Sequence, residues 1–213
     1  MAASMVSLLV IVLLGTFALE PTFAQDFCVA DLSSELTPSG YPCKPASSLN
    51  SDSFVFTGLE TAGNVSNNIG AAVTPAFSAQ FPAVNGLGVS IARLDIAPNG
   101  VIPLHIHPGG NEILLVVKGV INAGFISSSN VVYSKTLNVG DLMVFPQGLL
   151  HYQINAGEST AIAFASFSSP IPGLQIVALS LFASNLPSAV IEKTTFLADS
   201  EVKRLKAFLG GSG

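Results

Sequence analysis

LHIHPGGNEILLVVKG, residues 104–119, holds two of the chain's three histidines, one residue apart, with a glutamate five positions after the second. In a strand, residues i and i+2 share a face, so an extended reading points His105 and His107 the same way. Glu112 has the opposite parity, and Pro108-Gly-Gly-Asn111 supplies the turn that must aim its carboxylate inward. The third histidine, His151, lies in GDLMVFPQGLLHYQIN, residues 140–155. The span from Gly119 to Gly140 has room for a hairpin that returns the second segment beside the first. Three imidazoles and one carboxylate then meet, a set suited to a divalent transition metal with positions left for water or substrate. A lone histidine is ordinarily a core or surface residue; here the whole supply falls into two matched segments.

Around these segments, short β-branched and aromatic runs at 54–57, 88–96, 113–117, 121–126, 131–137, 142–145, 161–166 and 174–181 are separated by Gly, Pro, Asn and Asp. That spacing predicts an all-β sandwich or barrel over residues 54–183. Residues 25–53, rich in Ser, Pro and Gly, read as an irregular N-terminal arm. In a C-terminal extension, residues 184–213, helical spacing appears over 188–197 and 199–209, with Asp199 or Ser200 able to cap the second helix. Gly210-Gly-Ser-Gly213 is expected to end that helix and fray. No repeat of fixed period is present.

The first 24 residues read as a secretory signal, with an apolar core from Val6 to Leu14 and a small-residue cleavage site at Thr22-Phe-Ala24, although no Lys or Arg precedes the core. The apolar run is shorter than the roughly 20 residues of a spanning helix, and no later stretch qualifies, so no membrane association is expected after cleavage. In an oxidising compartment Cys28 and Cys43, the only cysteines, can close a loop worth about 3 kcal/mol. Asn64-Val-Ser66 is an N-glycosylation sequon. Removing residues 1–24 takes away Glu20 and moves the formal charge from -5 to -4. There is no basic stripe with interleaved aromatics and hence no nucleic-acid footprint; Lys203, Arg204 and Lys206 read as the solvated face of a helix. With only 10% charged residues, the chain has little from which to build a monomer's surface, which predicts subunit burial.

The pair G-x4-H-x-H-x4-E-x6-G, from Gly100 to Gly119, and G-x5-P-x-G-x2-H-x3-N, from Gly140 to Asn155, resembles the two cupin motifs as plant germins and germin-like proteins carry them. QDFCVADL, YPCKP, AGNVSN, NGLGVSIARLDIAPNG and SFSSPIPGLQI agree, so the resemblance spans the mature chain and is nearest the branch that includes proteins described as auxin-binding. Asn99 departs from the pattern, where a second glycine is common; a Pro-Asn-Gly turn serves the same purpose.

The resemblance implies a cupin (jelly-roll) β-barrel with a disulfide-tied N-terminal arm, and C-terminal α-helices that clasp neighbours in a homo-hexamer, a trimer of dimers. It implies extracellular, apoplastic or cell-wall localisation, and Mn(2+) held by His105, His107, Glu112 and His151. Ligand chemistry alone does not select manganese, because copper and zinc bind such a site more tightly. A dication with one carboxylate keeps net positive charge and favours a small anionic substrate or ligand. Oxalate oxidases of the family place asparagines near the metal; the matching positions here are Ala92 and Ile102, which cannot donate hydrogen bonds from their side chains. The expected activity is therefore superoxide dismutation rather than oxalate oxidation. Gln147, Gln153 and Asn155 are polar candidates around the metal, or else structural hydrogen-bonding residues. The alternatives are a non-enzymatic module for an auxin-like aromatic carboxylate and a structural cell-wall protein.

Overall fold

The computed structural model describes residues 25–213; the expected signal segment, residues 1–24, lies outside them. Alternation of small and branched apolar residues sets the strands. In β2 (Ser90–Ile96), Ser90, Ala92, Leu94 and Ile96 are buried, and in β9 (Ala161–Phe167) the buried set is Ala161, Ala163, Ala165 and Phe167. The remaining strands are β1 (Ala71–Ala76), β3 (Val101–Ile106), β4 (Glu112–Lys118), β5 (Ile121–Ile126), β6 (Val132–Leu137), β7 (Leu142–Phe145), β8 (Leu150–Asn155) and β10 (Gln175–Ile176). They form two five-stranded antiparallel sheets, ordered β1-β2-β9-β4-β7 and β10-β3-β8-β5-β6. The inward faces share one apolar core in which Ile96, Leu114, Val116, Ile121 and Phe145 are almost wholly buried. Each such side chain contributes about 1.5–3 kcal/mol by leaving water.

The expected hairpin between the two histidine segments is β5–β6, and β8 pairs with both β3 and β5. Before β3, Pro98 and Asn99 make the turn: Gly100 N–H donates to Ala97 O at 2.8 Å, with Asn99 at φ 62°. Gly100 is required there, since a Cβ would stand 2.2 Å from Gly70 O.

Three elements differ from the sequence reading. The run at 54–57 pairs with no strand. Asn50 and Ser53 form a reciprocal capping box that curls Ser51–Phe54 into a 3-10 turn, so local side-chain bonding overrides β-propensity. The run at 174–181 pairs only through β10 and then becomes helix α1 (Val177–Phe182). A short apolar run has no period that distinguishes strand from helix. Conversely β1, AAVTPA, went unread, because alanine and proline are poor strand formers; Pro75 is tolerated since β1 lies at a sheet edge.

Cys28–Cys43 closes a loop within the arm, as expected, and Asn85 holds that loop against the barrel. The buried Asn85 amide donates to Tyr41 O at 2.8 Å and accepts from Tyr41 N–H at 3.2 Å. On the outer face of β2, the Arg93 guanidinium grips Asp95 at 2.8 and 3.0 Å and donates to Leu59 O and Glu60 O, pinning the segment before the sequon.

Two C-terminal helices, α2 (Ser188–Thr195) and α3 (Asp199–Leu209), pack around Ile191 and Val202. The N-cap of α3 is Ala198 rather than Asp199 or Ser200; Asp199 sits in the first turn, where its charge complements the helix dipole and it pairs with Lys203 at 2.8 Å. Lys206 does not lie on a solvated face. It is buried and donates to Leu186 O and Ser212 O, both at 2.5 Å. The tail is thereby held instead of fraying, and Ser212 N–H also donates to Ser184 O. Among the described residues no helix is long and apolar enough to cross a membrane.

Candidate metal centre

His105 lies on β3 and is the direct cross-strand partner of His151 on β8, so strand pairing alone brings their rings to a centroid separation of 4.0 Å. His107 follows two residues on. Glu112 opens β4, in the opposite sheet. The parity problem posed by the sequence is thus solved by a change of sheet rather than by a turn within one. Pro108–Asn111 carries the chain across the end of the barrel, where Gly109 N–H donates to Pro172 O at 2.9 Å and a Cβ on Gly109 would stand 2.8 Å from Ile171 O. Asn111 fastens this crossing: its backbone N–H donates to Ser168 Oγ at 2.9 Å, and its Oδ1 accepts from Gln147 N–H at 3.0 Å.

All four side chains are buried, and one potential ligand atom from each lies within 4.8 Å of the others. The Nδ1 of every histidine faces a backbone carbonyl: Pro103 O for His105, Gly173 O for His107 and Leu149 O for His151. A carbonyl only accepts, so each Nδ1 carries the proton and each Nε2 presents its lone pair to the centre. His107 Nε2 and His151 Nε2 stand 3.1 and 3.3 Å from Glu112 Oε2. Lone pairs facing a carboxylate repel unless a cation lies among them, and this donor set fits a divalent metal.

Burial, followed by the neighbouring His151, pushes the His105 imidazole down to about 4, which keeps it unprotonated and able to ligate near neutral pH. Phenylalanines fix the rings from the opposite sheet. The two cross-strand neighbours of Glu112 are Phe145 on β7 and Phe167 on β9. Phe145 stacks on His151 at 4.6 Å and 16°, and Phe167 meets His107 edge-on at 4.8 Å.

A cavity of about 130 Å³ adjoins the centre, walled by Phe77, Leu94, Ile102, Phe167, Leu174 and Ile176 together with His105, His107, Glu112 and Gln153. Ile102 faces it directly, and Ala92 is buried opposite Ala165, which also lines it. Of the polar candidates, only Gln153 reaches the centre, its Nε2 donating to Glu112 Oε1 at 3.3 Å. Gln147 is exposed and donates to Pro108 O; Asn155 donates to Ile96 O and Ser159 O and holds the turn after β8. Phe145, Phe167 and Asn111 were not singled out from the sequence. Their only signal was adjacency to histidine segments, and cross-strand register is what gives them roles.

Residues 57–203 match the family model described as Cupin. Over 190 residues the chain is 63% identical to germin-like protein 8-14 of Oryza sativa subsp. japonica, covering 89% of this chain and 88% of that one. It is 58% identical over 188 residues to an auxin-binding protein of Prunus persica, covering 88% of this chain and 90% of its relative. Among solved structures, one described as oxalate oxidase superposes with a TM-score of 0.84 at 40% identity, covering 89% of this chain and 98% of that chain.

Proposed function

The chain belongs to the cupin family, among its germin-like proteins, and on that premise we propose that it is a secreted manganese protein that dismutes superoxide outside the plant cell. Two superoxide ions and two protons give hydrogen peroxide and dioxygen. When bound, manganese supplies the one-electron redox chemistry. His105, His107 and His151, each held by a carbonyl at Nδ1, offer three oriented nitrogens, and Glu112 contributes one negative charge. The loaded site therefore keeps positive charge and draws small anions into the barrel.

The observation that carries this reading is the apolar wall beside the ligands. A dicarboxylate needs hydrogen-bond donors at its outer oxygens, and Ile102 and Ala92 supply none from their side chains. Superoxide is small enough to bind through the metal alone. Support for secretion comes from the apolar leader and the disulfide. Asn64 is exposed, and its Oδ1 accepts from Ser66 N–H at 2.9 Å, which leaves Nδ2, the atom a glycan takes, outside that bond. The test is metal analysis of unsupplemented secreted protein with superoxide and oxalate assays before chelation, after it, and after reloading with manganese or zinc. Activity restored by manganese and not by zinc supports dismutation. Oxalate-dependent peroxide production by the manganese form would place oxalate oxidation first.

A second reading has its own support: Phe77, Phe167, Leu174 and Ile176 form an apolar pocket beside a cationic centre, and a 58% identical relative is named as auxin-binding. An aromatic carboxylate could anchor its acid on the metal and its ring in that pocket. Calorimetry of the zinc form with indole-3-acetate tests it; saturable binding in a protein without superoxide activity would favour this reading.

A further inference from the structure

Where the N-terminal arm meets the barrel it leaves a groove of about 460 Å³, which shares no lining residue with the cavity at the metal centre. That size lies within the ~300–1,000 Å³ of ordinary ligand clefts. Backbone pairing fixes its floor: Lys44 N–H donates to Val29 O at 2.8 Å and Ala30 N–H donates to Pro82 O at 3.0 Å, so the buried Val29 closes the seam between arm and barrel. The apolar wall is Phe56 and Phe81, both half-buried, with ring centroids 5.7 Å apart and planes inclined at 33°. On the rim stand the Lys44 ammonium, the Asp52 carboxylate and the Gln80 amide, all exposed. Among the described residues these three enter the fold's hydrogen bonding only through their backbones, at Lys44 N–H, Asp52 O and Gln80 N–H. Ser48 and Ser53, also at the groove, instead donate their hydroxyls to Pro45 O and Asn50 Oδ1.

The three free groups offer donors and acceptors in balance, because an ammonium only donates, a carboxylate only accepts and an amide does both. One positive and one negative charge cancel, so the rim does not select an ion of either sign. The phenyl faces carry negative potential and attract weakly polarised C–H groups. A ligand with C–H groups on one face, hydroxyls around its edge and no charge satisfies all three conditions, and that is the chemistry of a neutral sugar ring. We propose that this groove binds a neutral saccharide unit of a cell-wall glycan, the ring lying against Phe56 and Phe81 and the hydroxyls bonded to Lys44, Asp52 and Gln80. The site uses none of the four metal ligands and stands apart from the dismutation reading; it draws on the extracellular placement only for the source of the glycan.

The test is titration calorimetry of the manganese-loaded protein with cellohexaose and xylohexaose, both neutral, and with trigalacturonate as the acidic comparison. Saturable binding of a neutral oligosaccharide is expected. The double change Asp52→Ala and Gln80→Ala removes two exposed side chains that bond to nothing in the fold, so metal content and melting temperature should match wild type while affinity falls at least about tenfold, the loss of two hydrogen bonds. Lys44→Ala, on a separate segment, gives an independent reading should the double variant fail to fold, with an expected loss of about fivefold. Chelation of the metal should leave the affinity unchanged, which separates this groove from the metal centre whatever the superoxide assay returns. No binding of either neutral oligosaccharide overturns the proposal, as does binding that survives in both variants or vanishes on chelation. Binding of trigalacturonate alone, lost in Lys44→Ala, overturns it too, by showing that the groove takes an anion.

Discussion

Each imidazole at the centre is constrained twice, by a carbonyl at Nδ1 and by its place in a row of facing rings. His151 bears the most of this, since it pairs with His105, stacks on Phe145 and approaches Glu112. We predict that His151→Ala retains little metal after dialysis, because three donors remain of four and the other lone pairs lose the cation that reconciles them. Its melting temperature should fall toward that of the chelated wild type. Full metal content by elemental analysis would remove His151 from the ligand set. Phe145→Ala should cost about 3–5 kcal/mol in chemical denaturation, since it empties a packed core site, and should speed metal loss by releasing the His151 ring. A variant with wild-type metal off-rate would reduce Phe145 to a core residue. The clustering of the four side chains was legible in the sequence because histidine is scarce and its supply falls into two matched segments. The phenylalanines were not, because an aromatic in a strand signals only burial until register shows which ring it faces.

Elements whose apolar period faces the core are legible in the sequence: the runs at 121–126, 142–145 and 188–197 correspond to β5, β7 and α2 with small shifts at the ends. Those fixed by local bonding or by an edge position are not, as with the Asn50 capping box and β1. The arm belongs to the first kind only through its cysteines. The loop closed by Cys28 and Cys43, fifteen positions apart, is stapled, then seated on the barrel by Asn85. We predict that the double change Cys28→Ser and Cys43→Ser lowers unfolding free energy by about 3 kcal/mol, while metal content stays at the wild-type value because the arm supplies no ligand. Loss of metal on reduction would show that the arm supports the centre after all.

Across the whole molecule, apolar side chains remain on surfaces where a monomer would place charge. On the outer face of one sheet, β4 and β7 pair Ile113 with Val144 and Leu115 with Leu142; Leu142 is 63% exposed and Val144 53%. At the C-terminal end of α2, Phe196 takes a left-handed conformation at φ 61° and is 92% exposed. A phenylalanine gains nothing from water in that strained position, and continuous apolar rows of this kind mark association surfaces. The charge supply points the same way, since 10% charged residues cannot cover so large a surface. We predict that the secreted protein is a hexamer by light scattering, with the β4–β7 face and the C-terminal helices buried between subunits. The double change Leu142→Lys and Val144→Lys adds charge only to outward positions of an edge strand, so the barrel should still fold and bind metal while the assembly separates into smaller species. A wild-type monomer at micromolar concentration would refute the assembly. A hexamer undisturbed by the two lysines would move the interface away from β7 and onto the helices, where Phe196→Ser becomes the decisive variant.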